Sequence, residues 1–202
     1  MAQVATMARS QRERLLAATA EQIAERGYRA TTVKQIVKCA GVARATFYEN
    51  FDNREACLLT CFDEAVLGAR AEVDAAVDPA AEWPQQIRAG LAALLAHVVD
   101  NPALARTCLV ESMAAGPAAI ERYERALRSA TPALARGREL VAAPAELPAT
   151  LEDSIVGGIA WMIHQRLLHD QVDEIPALLP TMLEFAFAPY LGEARAAELA
   201  TA

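Results

Sequence analysis

Residues 27–51 read GYRATTVKQIVKCAGVARATFYENF, and they predict two short helices joined by a tight turn. Thr31 or Thr32 can cap the first of these helices, because a threonine hydroxyl accepts a hydrogen bond from the backbone of the first turn. Gly41 permits the turn, and the second helix runs from about Arg44 to Asn50. The first helix has apolar residues at the spacing of an amphipathic helix: Val33, Ile36, Val37 and Ala40. This outline is that of a helix-turn-helix.

The remainder of the chain predicts further helices. The 202 residues include 46 alanines but only nine glycines, and this composition favours helix. A first helix over 9–26 ends at Gly27, and Asp52 or Asn53 caps a fourth helix that runs to about Val77. A break is expected at Pro132. Later helices are expected near 84–100, 103–114, 118–140, 149–169 and 177–188. We therefore predict an all-α protein of about nine helices.

Charge divides the chain into two parts. Residues 1–55 carry nine basic and six acidic side chains, whereas residues 56–202 carry ten basic and twenty acidic ones. The basic excess suggests that any polyanion is met by the amino-terminal part, since the acidic remainder repels it. A solvated surface with a chance asymmetry would give the same counts. We predict a helix-turn-helix domain over 1–55 and a helical domain over 56–202.

Several classes of protein are disfavoured. The longest mostly apolar stretch, 155–163, is far shorter than the roughly 20 residues of a membrane span. The amino terminus becomes basic where a secretory signal would become apolar, so we expect a cytoplasmic protein with no membrane partner. GxSxG, HExxH and glycine-rich phosphate loops are absent, which argues against an enzyme. We expect no metal, no cofactor and free thiols at the four cysteines, which are Cys39, Cys57, Cys61 and Cys108.

Residues 27–58 resemble the signature of the TetR family of bacterial transcriptional regulators. The matching features are the Gly27-Tyr28 pair, the two adjacent threonines, Ala40-Gly41-Val42, Thr46-Phe47-Tyr48 and the basic–acidic pair Arg54-Glu55. The resemblance implies a DNA-binding amino-terminal domain and a carboxyl-terminal domain that binds an effector and forms a dimer. The run of helices after residue 56 is also what the family would show.

The resemblance implies a mode of action. Such a protein is usually a repressor that binds a palindromic operator in double-stranded DNA as a homodimer and is released by a small-molecule effector. Residues 149–169 and 177–188 would form the dimer, although burial within one chain explains their apolar residues equally well. The alanine-rich walls and low aromatic content favour an apolar effector.

The second helix of the helix-turn-helix, from about Arg44 to Asn50, is the recognition helix, and it supplies the main candidates for DNA contact. A guanidinium on its outer face can bind guanine O6 and N7 in the major groove, so Arg44 is our candidate for base readout. Hydroxyl, amide and basic groups nearby are candidates for phosphate contacts. The full set of DNA-binding candidates is Thr31, Thr32, Lys34, Ala43, Arg44, Ala45, Thr46, Tyr48, Asn50 and Arg54.

Some of these residues depart from the family pattern. Ala43 stands where the family usually has serine, and its missing hydroxyl should cost about 1 kcal/mol of helix capping. Asn50 stands where the family usually has histidine or tyrosine, and Arg54 stands where it commonly has lysine. Glu49 on the outer face would repel phosphate unless it accepts from a cytosine amine. These departures affect operator sequence and affinity rather than the mode of docking.

The candidate effector-binding residues are polar or aromatic groups set among apolar positions, since a ligand site needs a few polar groups in an apolar cleft. Each of them taken singly is also explained as an ordinary core or surface residue. They are His97, Cys108, Glu111, Ser112, Met113, Tyr123, Trp161 and Gln165.

Two other functions stay open on the sequence. A thiol-based sensor would use Cys39, Cys57 and Cys61 near the DNA-binding end, although cysteine is more often a small buried hydrophobe. A helical interaction module without DNA binding would keep the same fold.

Overall fold

The computed structural model describes residues 10–201, and within them every regular element is helical. The predicted start of the first helix at Arg9 lies outside the described residues. Short 3₁₀ turns lie at Arg136–Leu140, Pro144–Glu146, Val172–Glu174 and Pro176–Leu178. The α-helices are α1 (Gln11–Arg26), α2 (Val33–Ala40), α3 (Arg44–Asn50), α4 (Arg54–Ala76), α5 (Trp83–Asp100), α6 (Pro102–Leu109), α7 (Ser112–Ala115), α8 (Pro117–Arg128), α9 (Thr131–Ala135), α10 (Leu151–Leu168), α11 (Leu179–Leu191) and α12 (Glu193–Thr201).

Side-chain caps fix the starts of the amino-terminal helices. Ser10 accepts from the backbone of Glu13, whose carboxylate accepts in turn from the Ser10 N–H. Thr32, not Thr31, caps α2 in the same reciprocal way with Gln35. Asn53 Oδ1 caps α4 by accepting from Ala56 N at 2.9 Å. These local bonds explain why the starts of α1, α2 and α4 can be predicted from adjacent residues.

Helix breaks in the middle of the chain differ from the expected boundaries. The segment predicted over 118–140, with a break at Pro132, is α8, α9 and a 3₁₀ turn. The break lies between Arg128 and Thr131, and Pro132 is in the first turn of α9. Proline is tolerated there because the first-turn N–H has no partner within the helix. The segment predicted over 103–114 is divided into α6 and α7, and α12 extends beyond the last predicted helix. The predicted all-α fold is confirmed.

We call α1–α3 (11–50) the head and α4–α12 (54–201) the body. The head core includes the fully buried side chains of Leu15, Ile36 and Phe47. Cys57 and Cys61 of α4 pack into that same core, so the buried interior of the head continues beyond residue 55. The division of the chain at residues 55 and 56 stays a prediction.

The body has its own core around α10 and α11. Its largest fully buried members include Ile155, Leu167, Met182, Leu183 and Phe187. α10 is apolar on several faces and is covered by α6, α8, α9 and α11. None of the helices in residues 10–201 is both long and apolar enough to cross a membrane.

Polar bonds connect the head to the body through α6 and the residues that follow it. Thr107 Oγ1 donates to the Ala20 carbonyl of α1 at 3.3 Å. The carboxylate of Glu111 accepts from the Tyr28 N–H at 2.9 Å, just after Gly27, the C-cap of α1. α6 therefore touches the helix that supports the recognition helix.

Candidate functional site

The outer face of α3 is open to solvent. Phe47 is fully buried and anchors the helix, whereas Arg44, Ala45, Tyr48 and Glu49 are exposed. The Arg44 guanidinium lies over the Tyr48 ring, 5.6 Å from its centroid, and donates to the Tyr48 hydroxyl at 3.3 Å. Tyr48 thereby limits the rotamers of the guanidinium and presents it outward. A seven-residue helix with this face fits the major groove.

The angle between α2 and α3 depends on Gly41. Its backbone is left-handed, with φ of +62°, a conformation in which glycine is favoured. Arg14 of α1 donates to the Gly41 carbonyl at 2.9 Å, and a Cβ at Gly41 would lie 2.8 Å from that guanidinium. The turn is therefore held by α1, and a side chain at Gly41 would displace the arginine.

Groups suited to phosphate contacts surround α3. Thr32 and Lys34 at the start of α2 are exposed, as is Lys38 in its last turn. Asn50 is exposed and donates to the Thr46 carbonyl at 2.8 Å. Ala43 is the N-cap of α3 and makes no side-chain capping bond, so the first backbone N–H groups of α3 are without an internal side-chain acceptor.

Two predicted DNA contacts have structural roles instead. Thr31 is completely buried, and its hydroxyl donates to the carbonyls of Gln22 and Gly27 at 3.0 and 2.9 Å. Its side chain is not available to phosphate, so that prediction is wrong. Arg54 is half-buried, donates to the carbonyls of Tyr28 and Thr31, and stacks 4.1 Å from the Tyr28 ring centroid. Its donors mainly hold the segment between α1 and α2.

The body contains an elongated, mostly apolar cavity of about 470 Å³. Its walls come from α4, α5, α6, α8, α9 and α10. Typical small-molecule sites have volumes of about 300–1,000 Å³ and a few polar groups on apolar walls. About half of the lining residues come from α4, the residue after it, and α5: Phe62, Ala65, Val66, Ala69, Arg70, Val73, Asp74, Val77, Gln86, Ile87, Gly90, Leu91, Leu94, His97 and Val98.

The structure brings only three of the predicted effector-binding residues to this cavity, namely His97, Cys108 and Tyr123. Glu111 is bonded to the head at Tyr28. Ser112 is buried without lining the cavity, and Met113 is 55% exposed. The remaining two lie on α10 outside the cavity wall: Trp161 and Gln165. These five residues lie outside the cavity wall, and their contact with an effector stays a prediction. The sequence did not separate them from the lining residues, because which helix faces enclose a cavity depends on how distant helices pack.

The cavity-lining residues that could not be identified from the sequence are mainly alanine, valine, leucine and isoleucine. Leu104, Ala105 and Leu109 of α6, with Val156, Ile159 and Ile163 of α10, read as ordinary core positions. The one available signal was the abundance of small side chains, which leave space between helices.

Polar groups along the cavity are held in defined positions. His97 Nδ1 lies 2.9 Å from Glu72 Oε1. Arg70 donates to Asp74 at 3.1 Å, whereas Arg136 donates to the neutral Gln86 Oε1 at 2.6 Å. Burial, with a smaller contribution from Asp63, raises the pKa of the Cys108 thiol to about 12, and burial also raises the pKa of Tyr123. Both groups are therefore neutral at physiological pH.

The cysteines give little support to oxidant sensing. Cys57, Cys61 and Cys108 are buried and only Cys39 is exposed. The hydrogen bond between Cys57 and Cys61 lowers the pKa of Cys57 and raises that of Cys61, and both thiols lie inside the head core. A buried pair without solvent access is poorly placed to meet a diffusing oxidant.

The described residues form a helix-turn-helix protein whose recognition helix is exposed and whose helical body encloses an apolar cavity. Residues 15–61 match the family model described as bacterial regulatory proteins, tetR family. The HTH-type transcriptional regulator EthR of Mycolicibacterium smegmatis is 30% identical over 175 residues, which are 84% of this chain and 79% of that protein. The chain belongs to the TetR family and is a DNA-binding transcriptional regulator.

Solved structures share the fold. FadR from Bacillus halodurans, a fatty acid degradation regulator, has a TM-score of 0.76 and 20% identity, covering 90% of this chain and 95% of that one. FadR from Bacillus subtilis, solved in complex with stearoyl-CoA, has a TM-score of 0.69 and 18% identity, covering 89% and 98%. At these identities the likeness establishes the fold, and the predicted family is confirmed by the relatives above.

Proposed function

We propose that the protein is a repressor that binds a palindromic operator as a homodimer and leaves it when an apolar effector fills the body cavity. The exposed face of α3 supports the DNA-binding part of the proposal, with Arg44 reading bases and Thr32, Lys34 and Asn50 near phosphates. We expect no enzymatic activity, in keeping with relatives that are regulators.

The position of α6 carries the effector part of the proposal. Leu104, Ala105 and Cys108 on this helix line the cavity, while Thr107 bonds to α1. Leu104 also packs against the head core. A ligand that shifts α6 therefore acts on α1, the helix that supports the helix-turn-helix. Few residues lie between the ligand and α1.

Release of DNA follows from differential binding. An effector that prefers the conformation in which two recognition helices are wrongly spaced shifts the population toward that conformation, by no more than its difference in affinity for the two states. The two heads of a dimer must meet half-sites about 34–36 Å apart, so a small rotation of each head weakens both contacts together. The stearoyl-CoA bound by Bacillus subtilis FadR supports an apolar effector here.

The test begins with the DNA upstream of the protein's own gene. We expect a mobility shift, a two-fold symmetric footprint, and affinity that falls steeply between two salt concentrations, because phosphate contacts release counterions. Retention that is independent of sequence at low salt, with no footprint, would contradict the proposed operator. Compounds that restore free DNA would then be screened, and loss of their effect on Ala105→Trp, which fills the cavity, would assign them to it.

A further inference from the structure

We propose that the effector is a single-chain acyl compound with an anionic head, bound with its head at Arg136 and its chain end beside α6. This inference rests on the proposed function and specifies the ligand of the same cavity. It follows from the direction of the cavity, from the charge at one end and from the contacts of the apolar end.

The cavity runs along the antiparallel pair α4 and α5. A Cβ at Gly90 would lie 3.5 Å from Val73, and one at Gly68 would lie 3.3 Å from His97, so the end of α4 faces the start of α5. Along α5 the lining extends from Gln86 to Val98, which at 1.5 Å per residue is about 18 Å. An extended palmitoyl chain is of comparable length. A compact apolar ligand would leave much of such a channel empty.

A positive charge without a carboxylate partner lies at the Gln86 end. Arg136 lines the cavity, and among the described residues its one side-chain bond is to the Gln86 carbonyl oxygen at 2.6 Å. Gln86 is buried, and its amide nitrogen donates to the carbonyls of Pro79 and Ala81 at 3.1 and 2.7 Å. The amide is thus fixed with its oxygen toward Arg136, and it orients the guanidinium without neutralising it.

The other charges on the cavity wall largely cancel. Asp74 is the acidic lining residue, and it is paired with Arg70 at 3.1 Å. Arg136 therefore leaves a net positive charge at this end. A planar guanidinium with free donors binds a carboxylate or a phosphate through paired hydrogen bonds. An uncharged ligand would leave those donors to water.

The opposite end of the cavity is mostly apolar, with His97 as its polar lining residue, and it adjoins the head. Phe62 and Cys108 form a buried cluster there, and Leu104 packs against both this cluster and the head core. A chain whose head is held at Arg136 reaches Leu104 only if it is long. The geometry thus makes the response depend on chain length, with short acids bound at the charged end but unable to displace Leu104.

The experiment compares palmitate, palmitoyl-CoA and hexadecanol by displacement of a fluorescent fatty acid from the full-length protein. The two anionic compounds are kept below their critical micelle concentrations and hexadecanol below its solubility limit. We expect an anionic compound to bind about tenfold more tightly than hexadecanol, as a partly exposed charged hydrogen bond allows. Preference for palmitate identifies a free carboxylate as the head, and preference for palmitoyl-CoA identifies the phosphate-bearing head. Equal affinity for all three compounds overturns the inference.

Variants of Arg136 provide the second part of the displacement experiment. Arg136→Ala should remove the preference while leaving hexadecanol binding unchanged. Arg136→Lys should retain only part of it, because an ammonium keeps the charge but not the paired hydrogen bonds. Arg125→Ala is the matched control, since Arg125 is exposed and pairs with Glu121 away from the cavity. A preference that survives in Arg136→Ala rejects the anionic head.

The same preparations separate this inference from the function on which it rests. On a bound operator, palmitate should release DNA at concentrations where octanoate, although bound, does not. Release of DNA by neutral compounds alone would reject the anionic head and leave the repressor function standing. Failure of the ligand-free protein to bind any operator would reject the repressor function itself.

Discussion

At the scale of single residues, Arg44 should decide base specificity. Its guanidinium is exposed and rests on the Tyr48 ring, so its removal leaves the fold unchanged. We expect Arg44→Ala to cost about 1–3 kcal/mol of discrimination at one base position of each half-site. Binding to operators substituted at that position would measure the loss.

A variant of a residue expected to contact DNA phosphate separates base specificity from general affinity for DNA. Lys38 is exposed on α2, and Lys38→Ala should weaken binding to all sequences alike and reduce the salt slope by about 1. If Arg44→Ala instead lowers affinity uniformly, with no change in base preference, the assignment of base readout to Arg44 fails.

Ala43 at the start of α3 offers a gain of stability. This N-cap has extended backbone and makes no side-chain capping bond. Ala43→Ser would place a hydroxyl where it accepts from the backbone of the first turn, which should add about 1 kcal/mol to the free energy of unfolding. For a domain of this size that gain raises Tm by about 2–4 °C. Ala45→Ser, an exposed position within α3, should give no such rise.

Thiol alkylation should distinguish the exposed Cys39 from the three buried cysteines. Cys39 is exposed, and partial burial together with its hydrogen bond to Glu21 raises the pKa of its thiol. Its alkylation by iodoacetamide should therefore be slow at neutral pH and faster as pH rises. Cys39→Ser should abolish this pH-dependent alkylation. Rapid alkylation of Cys57 or Cys61 in the folded protein would revive the oxidant-sensing alternative.

At the scale of elements, one buried carboxylate joins three segments of the body. Glu152 of α10 accepts from Arg138 at 2.7 and 2.9 Å and from the Tyr190 hydroxyl of α11 at 2.8 Å. The Arg138 bond, followed by that of Tyr190, holds the pKa of Glu152 below its ordinary value of 4.5. The ionised carboxylate therefore ties the loop after α9 to the core.

Because the folded pKa of Glu152 is the lower one, its contribution to stability is present above pH 4.5 and is lost as pH falls through the folded pKa. We expect Glu152→Gln to lower the free energy of unfolding by about 1–2 kcal/mol at pH 7. Its stability should also depend less on pH in acid. Denaturant melts at pH 7 and about pH 3 measure both effects.

A surface pair supplies the control for that measurement. Glu121 and Arg125 are exposed on α8, and exposed pairs contribute about 0–1 kcal/mol. Glu121→Gln should therefore change little at either pH. An equal loss in both variants would mean that the Glu152 network is no more important than a surface ion pair.

Elements differ in how far the sequence predicts them, because their determinants differ in range. The helix-turn-helix depends on local bonds, such as the Thr32 cap and the Gly41 turn, and these can be read from adjacent residues. Adjacent residues do not decide between Thr31 and Thr32, since burial of Thr31 depends on how the chain returns against α1. The cavity has no local determinant, because it exists where helices distant in sequence fail to meet.

At the scale of the whole molecule, α10 and α11 leave apolar surface uncovered within residues 10–201. Trp161, Leu168 and Phe185 are 60%, 42% and 41% exposed. Phe185 lies against α10, since a Cβ at Gly158 would be 2.7 Å from its ring, whereas a Cβ at Gly157 would meet nothing within 4 Å. The uncovered surface thus spans both helices, and Gly157 allows a partner backbone to approach. This supports the proposed dimer through 149–169 and 177–188.

Gly157→Glu tests that arrangement without disturbing the protomer. The free space around Gly157 accepts a side chain, and glutamate favours helix over glycine, so the monomer should stay folded. A charge buried between two copies should shift the protein from dimer to monomer in sedimentation equilibrium and weaken operator binding, because two half-sites would no longer be joined. Met113→Glu, at an exposed apolar residue of α7 away from this surface, should stay dimeric. A Gly157→Glu protein that remained dimeric, with wild-type operator affinity, would place the dimer interface elsewhere on the body.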